Sequence, residues 1–107
     1  MKRFGQVIQL KEGVLEEYTR YHAAVWPEVL KTISDSGIRN YTIYHKDGWL
    51  FANFEYHGSD FEADSKKMAE CPHTKKWWDI MMPMQNPVDF REEGEWWCTM
   101  DEVFHSA

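Results

Sequence analysis

His22 and Tyr18 are the residues of this chain whose types and spacing could do acid–base chemistry. An imidazole exchanges protons near neutrality, with an ordinary pKa of about 6.5, whereas a phenol near 10 mainly donates or relays. Four residues apart on a helix, the two lie on one face, and Trp26 extends the row beside Val14, Val25, Val29 and Ile33. A row this apolar turns inward, so the phenol and the imidazole need polar partners there. The spacing alone fits a pair of hydrogen-bonded core residues as well as an acid and base. Trp77 and Trp78 project about 100° apart on a helix, so one belongs to the core. The other, with Trp26, can form a flat apolar platform. Tyr41 shares a strand face with Ile43 and can bring its hydroxyl to a pocket between helix and sheet. His45, His57 and His73 fall near strand ends or in loops and read as solvated.

The elements that must position these side chains follow from pattern. Arg3 to Leu10 is short, partly β-branched and ended by Lys11-Glu12-Gly13, which predicts a strand. Apolar residues from Val14 to Ile33 recur every three or four positions, as in an amphipathic helix that stops at Gly37. Pro27 removes a donor inside that helix and crowds the preceding turn, so a kink or a two-piece helix is expected. If the break falls at Trp26, Pro27 and Glu28 open a second helix at its favourable end. Ile38 to Lys46 and Trp49 to Tyr56 flank Asp47-Gly48, a two-residue hairpin signal. Asp60 can cap a helix running to about Glu70; Pro72 punctuates, and Thr74 to Met82 is helical until Pro83. Residues 84–95 read as a loop and Met100 to His105 as a last strand.

The order β, α, β, β, α, β is that of an α+β, ferredoxin-like fold: a four-stranded antiparallel sheet with helices on one face. At 107 residues one domain spanning 1–107 is expected, and 43% hydrophobic with six Trp supplies a core without metal or disulfides. Trp49, Phe51, Trp96 and Trp97 are more large apolar surface than so small a chain hides alone. A homodimer covering the open sheet face is therefore expected. A net charge of −6, with no basic run beyond pairs, argues against nucleic acid. The sequence shows no signal-peptide core and no apolar stretch of membrane-spanning length, so a cytoplasmic setting is expected, with no membrane partner. Cys71 and Cys98 have no zinc-like spacing and read as reduced thiols.

Tyr18 to Glu28 reads Y-x-x-x-H-x-x-x-W-P-E, and with Asn40-Tyr41-Thr42-Ile43-Tyr44, Leu50-Phe51-Ala52, Lys76-Trp77-Trp78, Met82-Pro83 and Glu102-Val103-Phe104-His105 it resembles the L-rhamnose mutarotase family over nearly the whole chain. The resemblance implies a dimeric α/β barrel of ferredoxin-like subunits, with no cofactor and no metal, that interconverts the α and β anomers of L-rhamnose. It also implies that His22 is the catalytic proton donor and that Tyr18, Tyr41, Trp77 and Trp78 contact the sugar. Trp26 joins them as a platform for the C–H face of a pyranose. The stretch from Met84 to Trp97 departs from the family pattern, which leaves L-fucose or another 6-deoxy sugar open as substrate.

Ring opening needs one proton to leave the anomeric hydroxyl and another to reach the ring oxygen. The expected division has His22 protonating the ring oxygen while Tyr18, directly or through water, handles the anomeric hydroxyl. Two readings compete. A cofactor-independent or haem-degrading monooxygenase can occupy the same dimeric barrel, and a non-catalytic barrel can merely hold a sugar in its aromatic groove.

Overall fold

A computed structural model of the chain describes residues 1–107. Its sheet grows from β1 (Lys2–Leu10), β2 (Ile38–Lys46) and β3 (Trp49–Tyr56). Asp47 and Gly48 turn the β2–β3 hairpin at φ 50° and 81°. A tight hairpin turn matching strand twist needs both central residues at positive φ, which Asp tolerates and Gly adopts freely. β3 then pairs antiparallel with β1 from Lys2 opposite Tyr56 to Gln9 opposite Trp49. Two short strands share the other edge of β1: β4 (Gln85–Asn86) on Gln9–Leu10, and β5 (Cys98–Met100) on Gly5–Val7. The order β2-β3-β1-β4, with β5 also on β1, is the ferredoxin-like arrangement with its last strand in two pieces.

Alternation divides the sheet into two faces. Ile8, Leu10 and Leu50 face the helices and pack with Val29, Trp77 and Met81 in the main core. Val7 points the other way and meets Val88 and Cys98, with Trp49 against them. The helices are α1 (Leu15–His22), α2 (Pro27–Asp35), α3 (Phe61–Glu70) and α4 (Pro72–Met81). None is long and apolar enough to cross a membrane.

Proline decides where the helices divide. The apolar period from Val14 to Ile33 is served by two helices, because Trp26 is extended at φ −58° and ψ 134° and Pro27 opens α2. At that position the missing N–H is one that no helix would use. Pro72 acts the same way: Cys71 is extended, and α4 starts at Pro72, two residues before the start expected from sequence. The chain then passes through Pro83 in a 3₁₀ turn, Met82–Met84. Asp60 caps α3 as expected, accepting from the Ala63 N–H at 3.1 Å.

The C-terminal third departs from the sequence reading. Residues 84–95 are not wholly loop, since Gln85–Asn86 pairs with β1. The last strand is Cys98–Met100 rather than Met100 to His105. Beyond Met100 the contact with β1 passes to a side-chain ion pair, Arg3 Nε donating to Glu102 Oε1 at 2.7 Å, and residues 101–107 are exposed without regular structure. Trp96 and Trp97 pack on the main core, leaving Phe51 and Tyr44 as the exposed aromatics of the open face. Cys71 and Cys98 are both free, one at the start of α4 and one on β5.

Leu50 is 2% exposed at the centre of the main core. Leu50→Ala should cost about 3 kcal/mol, within the range for a buried leucine. The urea midpoint measures this, and a cost below about 1 kcal/mol would mean that the sheet does not pack there.

Candidate functional site

α1 is short, but its charges suit its dipole: Glu16 and Glu17 stand in the first turn and Arg20 in the last. Its inner face brings Tyr18 and His22 together, their rings stacked 4.3 Å apart at 27°. Tyr18 is buried and His22 half-buried. His22 Nδ1 lies 2.8 Å from the Tyr18 backbone oxygen. A carbonyl only accepts, so Nδ1 carries the proton and donates, which leaves the neutral ring with a bare lone pair at Nε2. Burial lowers the imidazole below its ordinary pKa, and the bond to the Tyr18 carbonyl opposes this more weakly. His22 is thus a neutral acceptor at pH 7.

The walls come from other elements. Trp77 of α4 meets His22 edge-on at 5.5 Å, and Trp26 meets Trp77 edge-on at 5.2 Å. Trp26 is not on the Tyr18–His22 row that helical spacing suggests; it occupies the break before α2, and its ring reaches the cluster from there. Of the two adjacent tryptophans, Trp77 is the one against His22, while Trp78 lies half-buried on the core beside it.

Tyr41 reaches the same side through a fault in β2. The β2–β3 register shifts between Arg39 and Thr42, and Asn40 there adopts φ 53°. The bulge inserts one residue, so Ile38 and Tyr41, an even and an odd position, both turn towards the helices. Ile38 is buried, and the Tyr41 ring lies 5.4 Å from Phe54. Tyr41 is 39% exposed as a residue, yet its hydroxyl sits among protein atoms within electrostatic reach of Tyr18. Burial first, and then Tyr18, push its pKa up to about 12.

Two residues missed by sequence reasoning complete the cluster. Gln85 is 5% exposed and donates through Nε2 to the Tyr18 hydroxyl at 3.0 Å. Its carbonyl accepts the Trp96 indole N–H at 2.8 Å. Burial raises the Tyr18 pKa, and the Gln85 donor partly offsets it. A single Gln in an irregular segment leaves no periodic mark, and Trp96 read as surface for a partner. A surface recess of about 460 Å³ touches this cluster only at Gln85 and Trp96 and is otherwise lined by groups such as Lys11, Asp79 and Asn86. The convergence of titratable and aromatic groups, rather than that open recess, marks the site.

A ferredoxin-like α+β chain whose helix-covered face gathers a neutral imidazole and two protonated phenols among indole rings has the equipment for acid–base chemistry on an uncharged ligand. The chain belongs to the L-rhamnose mutarotase family, whose sequence profile matches residues 3–106. The L-rhamnose mutarotase of Phocaeicola vulgatus is 38% identical, with 98% of each chain covered. Among solved structures, the L-rhamnose mutarotase of Formosa agariphila superposes with a TM-score of 0.79 at 24% identity over the full length of both chains. The tetracenomycin F2 cyclase of Streptomyces glaucescens, a type-II polyketide cyclase, shares the fold at a TM-score of 0.68 and 15% identity, covering 100% of this chain and 97% of its own.

A histidine with a lowered folded pKa binds its proton more readily when unfolded. Its contribution is therefore fully present above about pH 6.5 and lost as pH falls through the folded value. Between pH 7.5 and 5 the wild-type chain should lose more stability in urea than His22→Asn does. Equal losses would show that His22 titrates alike in both states.

Proposed function

We propose that residues 1–107 act as one cytoplasmic mutarotase domain that interconverts the α and β anomers of L-rhamnose or a related 6-deoxy sugar such as L-fucose. The observation that carries this reading is the single tautomer of His22, held by the Tyr18 carbonyl with its Nε2 lone pair free beside the Tyr18 ring. Membership of the family, and the name borne by the Phocaeicola relative, support it.

The neutral imidazole favours an opening step that reverses the division expected from sequence. His22 Nε2 takes the proton of the anomeric hydroxyl, the bond from the anomeric carbon to the ring oxygen breaks, and the ring oxygen gains a proton through Tyr18, directly or by way of water. The aldehyde turns about its bond to the next carbon and the ring closes on its other face. In closing, the attacking hydroxyl returns its proton to Tyr18 by the path it came, and the imidazolium returns its proton to the new anomeric oxygen, so His22 is base and then acid within one turnover. Trp77, Trp78 and Trp26 offer apolar walls to the C–H face of the sugar, and Tyr41 offers a hydroxyl. The lowered pKa of His22 keeps its lone pair available at neutral pH.

Anomer exchange by saturation-transfer NMR on L-rhamnose and L-fucose tests this. His22→Asn should reduce exchange by about 10² to 10⁴, the usual worth of a positioned acid–base group, with Tyr18→Phe milder. Near-wild-type exchange by folded His22→Asn would remove His22 from the mechanism.

A second copy of the chain is the proposed cover for the open sheet face, where Tyr44 is 61% and Phe51 41% exposed, with Phe104 at 81% in the segment after β5. Apolar area of this kind is what a two-fold homodimer buries. Light scattering should give a two-chain mass that Phe51→Asp lowers to one. A wild-type monomer at micromolar concentration would refute the dimer.

A further inference from the structure

The exchange just described gives no task to residues 84–97, yet two side chains from that stretch converge on Tyr18. Trp96 has a single polar atom, an indole N–H that only donates. Its 2.8 Å bond to Gln85 Oε1 therefore settles which end of the amide is which. The oxygen faces Trp96, and the NH₂ faces the Tyr18 hydroxyl at 3.0 Å. Turning the amide round would set N–H against N–H at a buried site, where water cannot replace the lost acceptor. The Tyr18 oxygen, having accepted from Gln85, keeps its one hydrogen for another direction.

We propose that Trp96 and Gln85 are positioning residues that aim the Tyr18 proton into the sugar site, so that Tyr18 gives that proton to the ring oxygen on opening, takes the same proton back on closing, and never exchanges with the anomeric hydroxyl. The catalytic part of this rests on the mutarotase reading; the orientation of the proton does not. It complements His22. A closed sugar has at its reacting centre one oxygen without hydrogen, in the ring, and one hydroxyl with it, at the anomeric carbon. A donor from Tyr18 and a lone pair at His22 Nε2 suit those two oxygens in one pairing and clash in the other. The relay thus selects the pose in which ring opening proceeds. Burial keeps the phenol protonated, as a fixed donor must be, while the Gln85 N–H steadies the oxygen from behind.

Two variants and two readouts test the relay. Gln85→Met keeps the bulk and removes both polar ends; Gln85→Glu keeps the shape but presents a carboxylate that accepts from both neighbours and draws the Tyr18 proton backwards. In tyrosine labelled at the phenolic carbon and assigned through Tyr18→Phe, carbon NMR should show the Tyr18 pKa rising in Gln85→Met and rising further in Gln85→Glu. No change in either would overturn the relay whatever the protein catalyses. In anomer exchange, Gln85→Glu should lower kcat by about 10² relative to wild type at pH 8, with KM within a few-fold. The ratio to wild type should recover as pH falls and the new carboxyl takes up a proton, since it then donates to Tyr18 again. Wild-type kcat at pH 8, or a loss equal at every pH, would overturn the proposal. A wild-type enzyme that exchanges no anomers would instead remove the mutarotase reading, and the NMR titration would still decide the orientation.

Discussion

Tyr18, 4% exposed, carries a hydroxyl into the main core, and most of the arrangement around it answers that placement. A buried phenol without a partner forfeits the hydrogen bonds it had in water, a cost of about 1 to 3 kcal/mol. Gln85 meets part of the demand and is itself buried, so it requires Trp96 in turn. The Tyr18 backbone carbonyl accepts a hydrogen bond from His22 Nδ1 and fixes the imidazole. One position on α1 thereby ties together the helix, the β4 segment and the loop before β5. Few of these groups can be altered singly without stranding another.

The sheet supports this by making β1 the common partner of β3, β4 and β5. Gln9 and Leu10 hold Gln85 and Asn86 in register, which delivers the Gln85 amide to the helix-facing side. On β2 the bulge at Asn40 changes the phase of the strand, so that Ile38 fills the core and Tyr41 still turns towards Tyr18. Chemistry-bearing side chains therefore reach one region from four places: α1, α4, the bulged strand and the 84–97 segment.

Much of this was legible in the residues. Asp47-Gly48 forecast the hairpin, Asp60 the cap, and Pro27 the two-piece helix, because each signal is local and rests on backbone geometry. The Tyr18–His22 pairing followed from helical spacing, and the family resemblance extended over the residues that the profile matches. What stayed hidden depends on contacts between distant parts of the chain. A two-residue strand such as Gln85–Asn86 is too short for alternation to show, and the boundary of β5 is set by where β1 stops pairing rather than by its own composition. The position of Trp26 was misread for a related reason: the proline break moved it off the row that continuous helical spacing implied. Trp96 and Trp97 looked like surface for a partner because nothing in their immediate neighbours reveals the buried Gln85 or the core cluster that receives them.

The last strand of this sheet is broken by an excursion whose two ends are both stitched to β1. Lengthening a loop with fixed ends costs little, because closure entropy grows only with the logarithm of its length. The interior of that excursion is therefore the part of the chain that heredity can rewrite most cheaply, while Gln85 and Trp96 near its two ends stay bound to each other. Divergence among relatives has a natural outlet between Val88, which packs on Val7 of β1, and Trp96, beside the site but off the sheet, much as an interchangeable blade is held in a permanent handle.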